Sequence, residues 1–366
     1  MKVAIVHYWL HGMRGGERVI EALCELFPDA DLFTHIVDRS KLSDTISRRE
    51  IHTTFISKLP FARSFYQKYL PLMPRALEAL DLSAYDLVIS SESGPAKGVI
   101  TRPDSLHICY CHSPMRYIWD HYALYLKNSG FLARIAFPEI AHRMRIWDVT
   151  SAARVDHFVA NSTFIQRRIE KFYRRDSQVI HPPVSVEDFA AARTNSTQDY
   201  FLAAGELVGY KRFDLIVDAC NRLQVPLVII GDGEERRALE KRAGETVTFL
   251  GHVGYTELKA RFGECRALIF PGEEDFGIVP VEVMAAGRPV IAFGRGGAID
   301  TVIEGQTGLL FEEQSVDCLV DAIQRFDAQA FSSDAIQTHA RKFSKSAFQE
   351  HFKAALRELG AEMGAD

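Results

Sequence analysis

Short runs of apolar residues alternate along this chain with longer segments whose apolar positions recur at helical spacing. The runs predict buried strands at 3–8, 85–90, 106–111, 200–204, 227–230, 247–250 and 267–270. Runs of about four to eight apolar residues that alternate with helical patterns are typical of parallel sheets covered by helices on both faces. We therefore predict an α/β protein with doubly wound, Rossmann-like sheets.

The chain is long enough for two globular domains, because 366 residues exceed the usual size of a single hydrophobic core. Two successive prolines, Pro182 and Pro183, fix the direction of the chain and predict the domain boundary. We predict domains at 1–182 and 183–345, with a ligand cleft between them. A last amphipathic helix is predicted from residue 346, with these residues on its apolar face: Phe348, Phe352, Ala355, Leu356 and Leu359.

Composition narrows the class of protein. With 47% hydrophobic and 25% charged residues the chain should be globular, and it has no run of about 18 apolar residues that would span a membrane. It enters its first strand without signal-peptide features, so we expect a cytoplasmic protein with six reduced cysteines.

The net charge of −5 argues against a nucleic-acid partner. Residues 1–182 hold 24 Lys and Arg against 19 Asp and Glu, which suits an anionic lipid surface, although chance can produce this imbalance.

Residues 53–80 combine aromatic and basic side chains. Phe61, Phe65 and Tyr69 recur every four positions. Basic residues lie among them: Lys58, Arg63, Lys68 and Arg75. Such a stripe can lie in a lipid interface, and it can equally be a helix packed on its own domain. We predict peripheral docking on the inner face of the cytoplasmic membrane, where a lipid-linked acceptor would be reached.

The stretch 267–292 contains the strongest candidate chemistry. A buried strand is followed by an acidic loop and by a short helix, with Pro280 predicted at its first position and a stop at Gly287. Glu274 precedes this helix and Glu282 is placed in its first turn. The free N–H groups at the helix start, together with the helix dipole, would bind phosphate; they belong to Gly277, Ile278 and Val279. The two carboxylates could then hold hydroxyls on either side of a diphosphate, as in a nucleotide sugar. An ordinary acidic surface loop is the alternative.

This stretch resembles the E-x7-E signature of retaining glycosyltransferases of the GT-B fold, family 4. Phe276, Pro280 and the run Ala285-Ala286-Gly287 strengthen the resemblance. It implies that Glu274 contacts the donor hexose, that Glu282 contacts the ribose, and that the amides after Phe276 hold the diphosphate. It also implies that 1–182 binds the acceptor, that 183–345 binds the nucleotide sugar, and that the helix at 346–366 packs back on the first domain.

Two loops of the first domain belong to the predicted site. The turn 11–17 does not match G-x-G-x-x-G, but the resemblance implies that Gly15 and Gly16 let backbone approach the donor phosphate and the acceptor; a simple tight turn is the alternative. His112 follows a strand at the sheet edge where α/β proteins bind ligands, and the family carries a histidine there near the reacting sugar. A histidine satisfied by backbone groups is the alternative. The run 112–120 resembles enzymes of bacterial surface polysaccharides, including lipopolysaccharide. This implies a mannosyl or rhamnosyl donor such as GDP-mannose, and acceptor contacts by Arg116 and Trp119.

The second domain departs from the family at one position. The family usually presents an arginine after the strand at 200–204 and, five residues later, a lysine, both directed at the donor diphosphate. Lys211 fits the lysine, but Glu206 stands in place of the arginine. We predict that Arg212 supplies the missing charge; slow, unusual or absent transfer is the alternative. Backbone groups near Val253 would hold the base, which leaves guanine and uracil open.

We predict a retaining hexosyltransferase of cell-surface polysaccharide synthesis that uses a glycan or lipid-linked acceptor. Lys211, Arg212 and the helix amides would stabilise the leaving diphosphate, while Glu274 and His112 contact the reacting sugar. We assign no Asp-x-Asp pair to this site and expect no metal and no other cofactor. Three alternatives stay open: another GT-B enzyme such as a nucleotide-sugar epimerase or a phosphorylase, a non-catalytic nucleotide-sugar-binding subunit, and a soluble scaffold.

Overall fold

The structure is a computed structural model that describes residues 1–128, 130–194 and 196–361. The chain forms two compact units. The first comprises Met1–Pro182 together with the segment that begins at Phe348, and the second comprises Pro183–Ala347. Of the terminal helix predicted at 346–366, residues 362–366 lie outside the described residues.

The first unit is built on a parallel seven-stranded sheet. Its strands are β1 (Val3–His7), β2 (Asp31–Thr34), β3 (Ile51–Thr53), β4 (Leu87–Glu92), β5 (Leu106–Cys111), β6 (His157–Ala160) and β7 (Ser177–Val179). They pair in the order β3-β2-β1-β4-β5-β6-β7. Successive strands are added first on one side of β1 (β2, β3) and then on its other side (β4 to β7), so the strand order reverses between β1 and β4. At such a switch point the loops after the two strands diverge and leave room for a ligand.

Seven helices precede the boundary in the described part of this unit. They are α1 (Gly15–Leu26), α2 (Asp44–Ser47), α3 (Ala62–Phe65), α4 (Met73–Glu78), α5 (Tyr122–Asn128), α6 (Phe131–Ala152) and α7 (Thr163–Tyr173). Short 3-10 turns lie at Arg39–Lys41, Phe55–Lys58 and Tyr66–Leu72. Helix α7 begins where Ser162 accepts a hydrogen bond from the N–H of Ile165, the usual role of a serine N-cap.

The second unit contains a parallel six-stranded sheet. Its strands are β8 (Phe201–Ala204), β9 (Leu227–Ile230), β10 (Val247–Gly251), β11 (Ala267–Phe270), β12 (Val290–Phe293) and β13 (Gly308–Phe311). The order is β10-β9-β8-β11-β12-β13, so the switch point lies between β8 and β11. The helices are α8 (Val186–Ala190), α9 (Phe213–Leu223), α10 (Arg236–Arg242), α11 (Tyr255–Glu264), α12 (Ile278–Ala285), α13 (Ala298–Thr301), α14 (Val316–Arg325) and α15 (Ser333–Ala340). The 3-10 turns are Gly209–Lys211, Ala328–Ala330 and Arg341–Phe343.

Successive residues of β8 enter different hydrophobic cores, because side chains alternate between the two faces of a strand. Phe201 and Ala203 pack in the core on one face of the sheet, and Leu202 and Ala204 pack in the core on the other. Helices cover both faces, which explains why these strands are continuous apolar runs. The α/β class with two Rossmann-like sheets is confirmed.

The last helix, α16 (Lys345–Glu358), belongs to the first unit from Phe348 onward. Phe348, Phe352 and Leu356 are buried in a core that also contains residues of β1, β4 and β5. The Phe348 ring contacts Tyr110 of β5 edge to face, with a centroid distance of 5.7 Å. The apolar face read from the sequence is therefore the face that this helix buries.

Residues 53–80 do not form the single packed helix that was one of the two alternatives for this segment, because Phe61 adopts a left-handed conformation (φ 53°) and short turns replace a continuous helix. The three aromatic rings consequently separate: Phe61 and Phe65 are exposed, whereas Tyr69 is half-buried.

None of the described helices combines the length and the apolar character needed to cross a membrane. The six cysteines are all free thiols, as predicted, and five of them are buried. Burial raises the pKa of the Cys24 and Cys220 thiols to about 12, which keeps both protonated at neutral pH.

Candidate functional site

In the second unit, the loops that follow β8 and β11 meet at the switch point of the sheet. Lys211 lies at the end of the first loop and Glu274 in the second. Their side chains form an ion pair, with 2.9 Å between Lys211 Nζ and Glu274 Oε1. The structure therefore brings together two residues that are 63 positions apart in the chain and that the sequence predicted for one site.

Two glycines make room for Lys211. Gly205 has a φ of 141°, and a Cβ atom there would lie 3.0 Å from Lys211 Nζ. A Cβ atom on Gly272 would lie 3.1 Å from Lys211 Cα. A larger residue at either position would displace the lysine from Glu274.

Lys211 keeps its positive charge although its side chain is only 16% exposed. Burial disfavours the ammonium, but Glu274 stabilises it, with smaller contributions from Tyr210 and Glu206, and the net effect raises the pKa of Lys211. Glu274 Oε1 is buried and accepts no well-aligned hydrogen bond among the described residues. The contact is thus a charge contact, and because Oε1 is buried, a ligand hydroxyl would have to reach the other carboxylate oxygen of Glu274.

Helix α12 begins directly after the acidic loop. Gly277 is its N-cap, with a φ of 88°, so the first helical residue is Ile278. This corrects two expectations: Pro280 is the third residue of the helix rather than the first, and Glu282 lies in the second turn rather than the first. Pro280 is tolerated there because the N–H groups of a first turn have no partner within the helix.

The backbone N–H groups of Gly277, Ile278 and Val279 have no hydrogen-bond acceptor in the part of the chain that the structure describes. They lie at the positive end of the helix dipole, where anions bind favourably. The Phe276 side chain, in contrast, is buried and contacts Phe343 edge to face. A ligand contact at Phe276 would therefore involve its backbone.

The glycine-rich run 294–297 packs against the backbone of the acidic loop. The N–H of Gly297 donates to the carbonyl oxygen of Glu274 at 2.8 Å. A Cβ atom on Gly297 would lie 2.2 Å from Phe276 Cα, and one on Gly296 would lie 2.5 Å from Glu274 O. The close approach at these glycines is an approach to protein backbone, and it fixes the position of Glu274.

Arg212 points to a different neighbour from Lys211. It adopts a left-handed conformation (φ 56°), and its guanidinium donates to both carboxylate oxygens of Asp214, at 3.0 and 3.1 Å. It lines a cavity of about 260 Å³ with residues of α10, among them Leu239 and Arg242. Glu206 is exposed. This placement gives no support to charge compensation by Arg212, and that role stays a prediction.

Val253 and Glu282 are both half-buried. Val253 follows β10 and packs against the core with Leu250. Glu282 interacts with neighbouring groups of the protein. Their proposed contacts with base and ribose stay predictions.

In the first unit, His112 follows β5, the strand next to the switch point between β1 and β4. Its Nε2 is 2.8 Å from Ser91 Oγ of β4, and Ser91 Oγ is 3.0 Å from His7 Nδ1 of β1. Glu17 Oε1 of α1 lies 3.9 Å from His7 Nε2. Sequence reasoning found His112 but missed His7, Ser91 and Glu17. The sequence signal that could have identified His7 and Ser91 is a polar residue near the end of an otherwise apolar strand.

Burial, with a smaller contribution from the nearby His7, lowers the pKa of His112 to about 3, although Glu17 partly offsets both effects. The imidazole is therefore neutral at physiological pH. It can donate or accept a hydrogen bond, but it does not act there as a charged acid.

Gly15 and Gly16 are the first residues of α1 rather than part of a turn, because Arg14 is the extended N-cap residue. A Cβ atom on Gly16 would lie 2.6 Å from the Tyr8 hydroxyl and 3.3 Å from the His7 ring. The need for glycine at position 16 is thus explained by protein packing. A contact of either glycine with a ligand stays a prediction.

Trp119 and Arg116 are held by the protein itself. The Trp119 indole N–H donates to Asp148 at 2.7 Å, and the ring stacks on Phe172 with a centroid distance of 4.7 Å. Arg116 is half-buried, 6.0 Å from the ring centroid of Phe164. These contacts fix the loop after His112, and acceptor binding by these two residues stays a prediction.

One group among the described residues has the composition of a metal site. Ligand atoms of Asp31, Glu50 and His52 all lie within 4.8 Å of one another. They belong to the beginnings of β2 and β3, whereas His112 follows the end of β5. This group is therefore at the opposite edge of the sheet from His112, and the expectation of a site without metal stays a prediction.

Two family profiles match the chain, one for each unit. The profile described as Glycosyltransferase Family 4 matches residues 13–188, and that described as Glycosyl transferases group 1 matches residues 185–343. The chain belongs to the GT-B glycosyltransferases of group 1 and family 4. Within this family, the loops after β8 and β11 lie in the part of the chain matched by the group 1 profile.

Curated relatives of this GT-B protein carry glycosyltransferase names at low identity. The chain is 26% identical to the uncharacterized glycosyltransferase MJ1178 of Methanocaldococcus jannaschii, over 57% of this chain and 60% of that protein. It is 24% identical to the alpha-1,3/1,6-mannosyltransferase alg2 of Schizosaccharomyces pombe, over 85% and 70%. It is 27% identical to the O-antigen chain mannosyltransferase RfbU of Salmonella typhimurium, over 48% and 55%. The matches thus span about half to two thirds of these relatives.

A solved structure supports the fold. The chain is similar to Anabaena Alr3699/HepE, crystallised in complex with UDP and glucose, with a TM-score of 0.69 and 17% identity over 98% of this chain and 99% of that one. At this identity the similarity shows the GT-B fold alone.

Proposed function

We propose that the protein transfers a hexosyl residue, with retention of anomeric configuration, from a nucleotide diphosphate sugar to a glycan or lipid-linked acceptor. The observation that carries the proposal is the Lys211–Glu274 pair at the switch point of a Rossmann-like sheet, where Glu274 lies in the loop that precedes the first amides of α12. An ammonium and free backbone N–H groups suit a diphosphate, and a carboxylate beside them suits sugar hydroxyls.

The leaving diphosphate gains negative charge as the bond to the sugar breaks. Lys211 and the amides of Gly277, Ile278 and Val279 stabilise this charge without moving, which is effective because they are fixed in advance. Glu274 accepts hydrogen bonds from the hexose, and Glu282 binds the ribose. These groups supply positive charge from the protein itself, so we propose transfer that needs no resident metal ion.

The donor is proposed to be GDP-mannose or a related sugar nucleotide, and the product a cell-surface polysaccharide. The names of two relatives support this: one is an alpha-1,3/1,6-mannosyltransferase and the other an O-antigen chain mannosyltransferase. HepE was crystallised with UDP, so UDP sugars are the second class to examine.

Calorimetry with GDP, UDP and ADP tests donor binding. One of the diphosphates should bind, and Glu282→Ala should weaken its binding about tenfold, because a hydrogen bond to a charged group is lost, while kcat changes less. Glu245→Ala, which removes an exposed carboxylate of the same unit, is the matched control and should bind like the wild type. Absence of binding by all three diphosphates would contradict the proposal.

The reaction class needs a separate measurement. A labelled donor incubated with and without acceptor distinguishes transfer from epimerisation, since an epimerase converts the donor alone. Binding without any turnover would identify a non-catalytic subunit. Product formation that requires the acceptor, with the anomeric configuration of the donor kept, is the expected result.

We also propose that the first unit docks peripherally on anionic membranes through residues 53–80. Phe61 is 77% exposed, Phe65 is 46% exposed, and their rings contact each other. The ammonium of Lys68 lies 4.2 Å from the Phe65 ring centroid, which combines apolar and cationic groups in one exposed patch. Such a patch favours the interface of an anionic bilayer.

Flotation with vesicles that contain about one third anionic lipid tests this docking. The wild-type protein should float with these vesicles at low salt and remain below neutral ones. The double change Phe61→Ser and Phe65→Ser should abolish flotation. Ile299→Ser removes an exposed apolar side chain of the second unit and should leave flotation unchanged. Equal flotation of the double variant and the wild type would contradict docking by this segment.

A further inference from the structure

A line of polar groups runs from α1 to His112 through the switch point of the first sheet. Ser91 Oγ is the link, because it lies within hydrogen-bond distance of both His7 Nδ1 and His112 Nε2. On the other side of His7, Nε2 has no hydrogen-bond partner among the described residues and faces Glu17 Oε1 at 3.9 Å. His7, Ser91 and Glu17 are all buried. Electrostatic interactions along this line are therefore strong.

The Ser91 hydroxyl has one proton and can donate to only one of the two imidazoles. If it donates to His7 Nδ1, then His112 must donate its Nε2 proton to the serine oxygen. His112 Nδ1 is then an acceptor. If Ser91 donates to His112 Nε2 instead, His7 donates from Nδ1, and His112 carries its proton on Nδ1. In the first arrangement His112 Nδ1 is a hydrogen-bond acceptor for a ligand, and in the second it is a donor.

The charge of Glu17 selects between these two arrangements of the protons on His7, Ser91 and His112. Burial raises the pKa of Glu17, but the neighbouring His7 ring and the backbone amides of Arg14 and Glu17 outweigh this effect and leave it below its ordinary value, so that the group is a carboxylate. Its other oxygen accepts the N–H of Arg14 at 3.1 Å, which fixes the side chain. A carboxylate attracts an N–H and repels a lone pair. With one proton on its ring, His7 therefore carries that proton on Nε2 and accepts at Nδ1.

We propose that Glu17, His7 and Ser91 are positioning residues that hold His112 in the tautomer protonated at Nε2, so that His112 Nδ1 accepts a hydrogen bond from a sugar hydroxyl. Nδ1 has no hydrogen-bond partner among the described residues and is not enclosed. A fixed tautomer needs no rearrangement when the ligand arrives. The identity of the hydroxyl rests on the proposed function, whereas the tautomer rests on the protein alone.

Nuclear magnetic resonance measures the tautomer directly. Long-range ¹H–¹⁵N spectra of the full-length labelled protein distinguish protonated from unprotonated ring nitrogens, and His112→Asn assigns the signal. At neutral pH, His112 should show a protonated Nε2 and an unprotonated Nδ1. Glu17→Gln keeps an acceptor for Arg14 but removes the charge, and it should populate the opposite tautomer. A wild-type His112 protonated at Nδ1, or a spectrum unchanged by Glu17→Gln, would overturn the proposal.

Kinetics measure the consequence for the ligand. Ser91→Ala should lower kcat/KM for the donor sugar about tenfold, as expected for the loss of one aligned hydrogen bond. Affinity for the free nucleoside diphosphate, which we propose binds the second unit, should be unchanged. Ser91→Thr keeps the hydroxyl and should recover most of the activity. Wild-type kinetics in Ser91→Ala, or equal losses in both variants, would overturn a positioning role.

The two proposals fail separately. If no nucleoside diphosphate binds to the wild-type protein, the proposed transfer is wrong, and the nuclear magnetic resonance spectra still decide the tautomer of His112. If a diphosphate binds and is turned over but His112 carries its proton on Nδ1, the proposed transfer stands and the role of Glu17, His7 and Ser91 is wrong.

Discussion

Lys211→Ala should lower kcat about 100- to 1,000-fold, the usual effect of removing one fixed group that stabilises charge in a transition state. The ammonium is the half-buried cation next to Glu274, and the neighbouring Arg212 is paired with Asp214 instead. The variant also leaves Glu274 as an uncompensated charge near the diphosphate. The fall should appear in kcat more than in KM, measured as initial rates with the donor that binds best.

The matched control is Lys241→Ala, which removes an exposed lysine of α10 in the same unit and should leave kcat unchanged. The variant Arg212→Ala tests whether Arg212 also supplies positive charge to the site. If it lowers kcat as much as Lys211→Ala, then Arg212 supplies the charge that Glu206 does not, as the sequence suggested. A wild-type kcat for Lys211→Ala would show that charge stabilisation by this residue is wrong.

Lys97→Met should destabilise the first unit by about 3–5 kcal/mol, because removing one partner of a buried ion pair leaves the other charge unpaired. Lys97 is completely buried and contacts the carboxylates of Glu92 and Asp148. Burial lowers the pKa of Lys97, but these two carboxylates outweigh burial and keep the lysine charged. Methionine has a similar length, so the loss reflects charge rather than a cavity.

Urea unfolding followed by tryptophan fluorescence measures this loss of stability in the first unit. The chain has three tryptophans, at positions 9, 119 and 147, and all three belong to the first unit. Arg48→Met removes one partner of an exposed ion pair with Asp44 and should leave the urea midpoint unchanged. The double variant with Glu92→Gln should recover part of the loss. An unchanged midpoint in Lys97→Met would show that the network does not stabilise the unit.

The buried network also connects to the loop after His112. Asp148 accepts hydrogen bonds from Trp119 and from Tyr173 as well as contacting Lys97. Lys97→Met should therefore disturb Trp119 as well as stability. Lys97 and Asp148 are 51 positions apart, and nothing in the local pattern around either residue indicates that they meet.

Strands that are continuous apolar runs were predictable, whereas the short strands β3 (Ile51–Thr53) and β7 (Ser177–Val179) are not such runs. Strands β5, β9 and β11 have the bounds that the hydrophobic pattern gave, since a strand buried on both faces needs apolar residues at every position. Segment 53–80 was not predictable in the same way. Its apolar positions recur at helical spacing, but Phe61 in a left-handed conformation interrupts the helix, and tertiary packing of Tyr69 decides which rings are buried.

For the second unit, the sequence also predicted which groups a site would present. The acidic loop and the helix start at Gly277 are local features, and local features determine which groups a loop presents. The helix boundary was wrong by two residues, because a left-handed Gly277 starts the helix before Pro280. The pairing of Lys211 with Glu274 and the different orientation of Arg212 depend on how the loops after β8 and β11 pack.

By itself, the sequence determined the α/β class, the two sheets, and the candidate residues Lys211, Glu274 and His112, because periodicity and loop chemistry are encoded over a few neighbouring positions. Only the tertiary structure decided which distant side chains meet. Strand order places β1 beside β4 and β4 beside β5, and this order alone brings His7, Ser91 and His112 into one hydrogen-bonded line. Strand order is a property of the whole sheet, and no single stretch of sequence contains it.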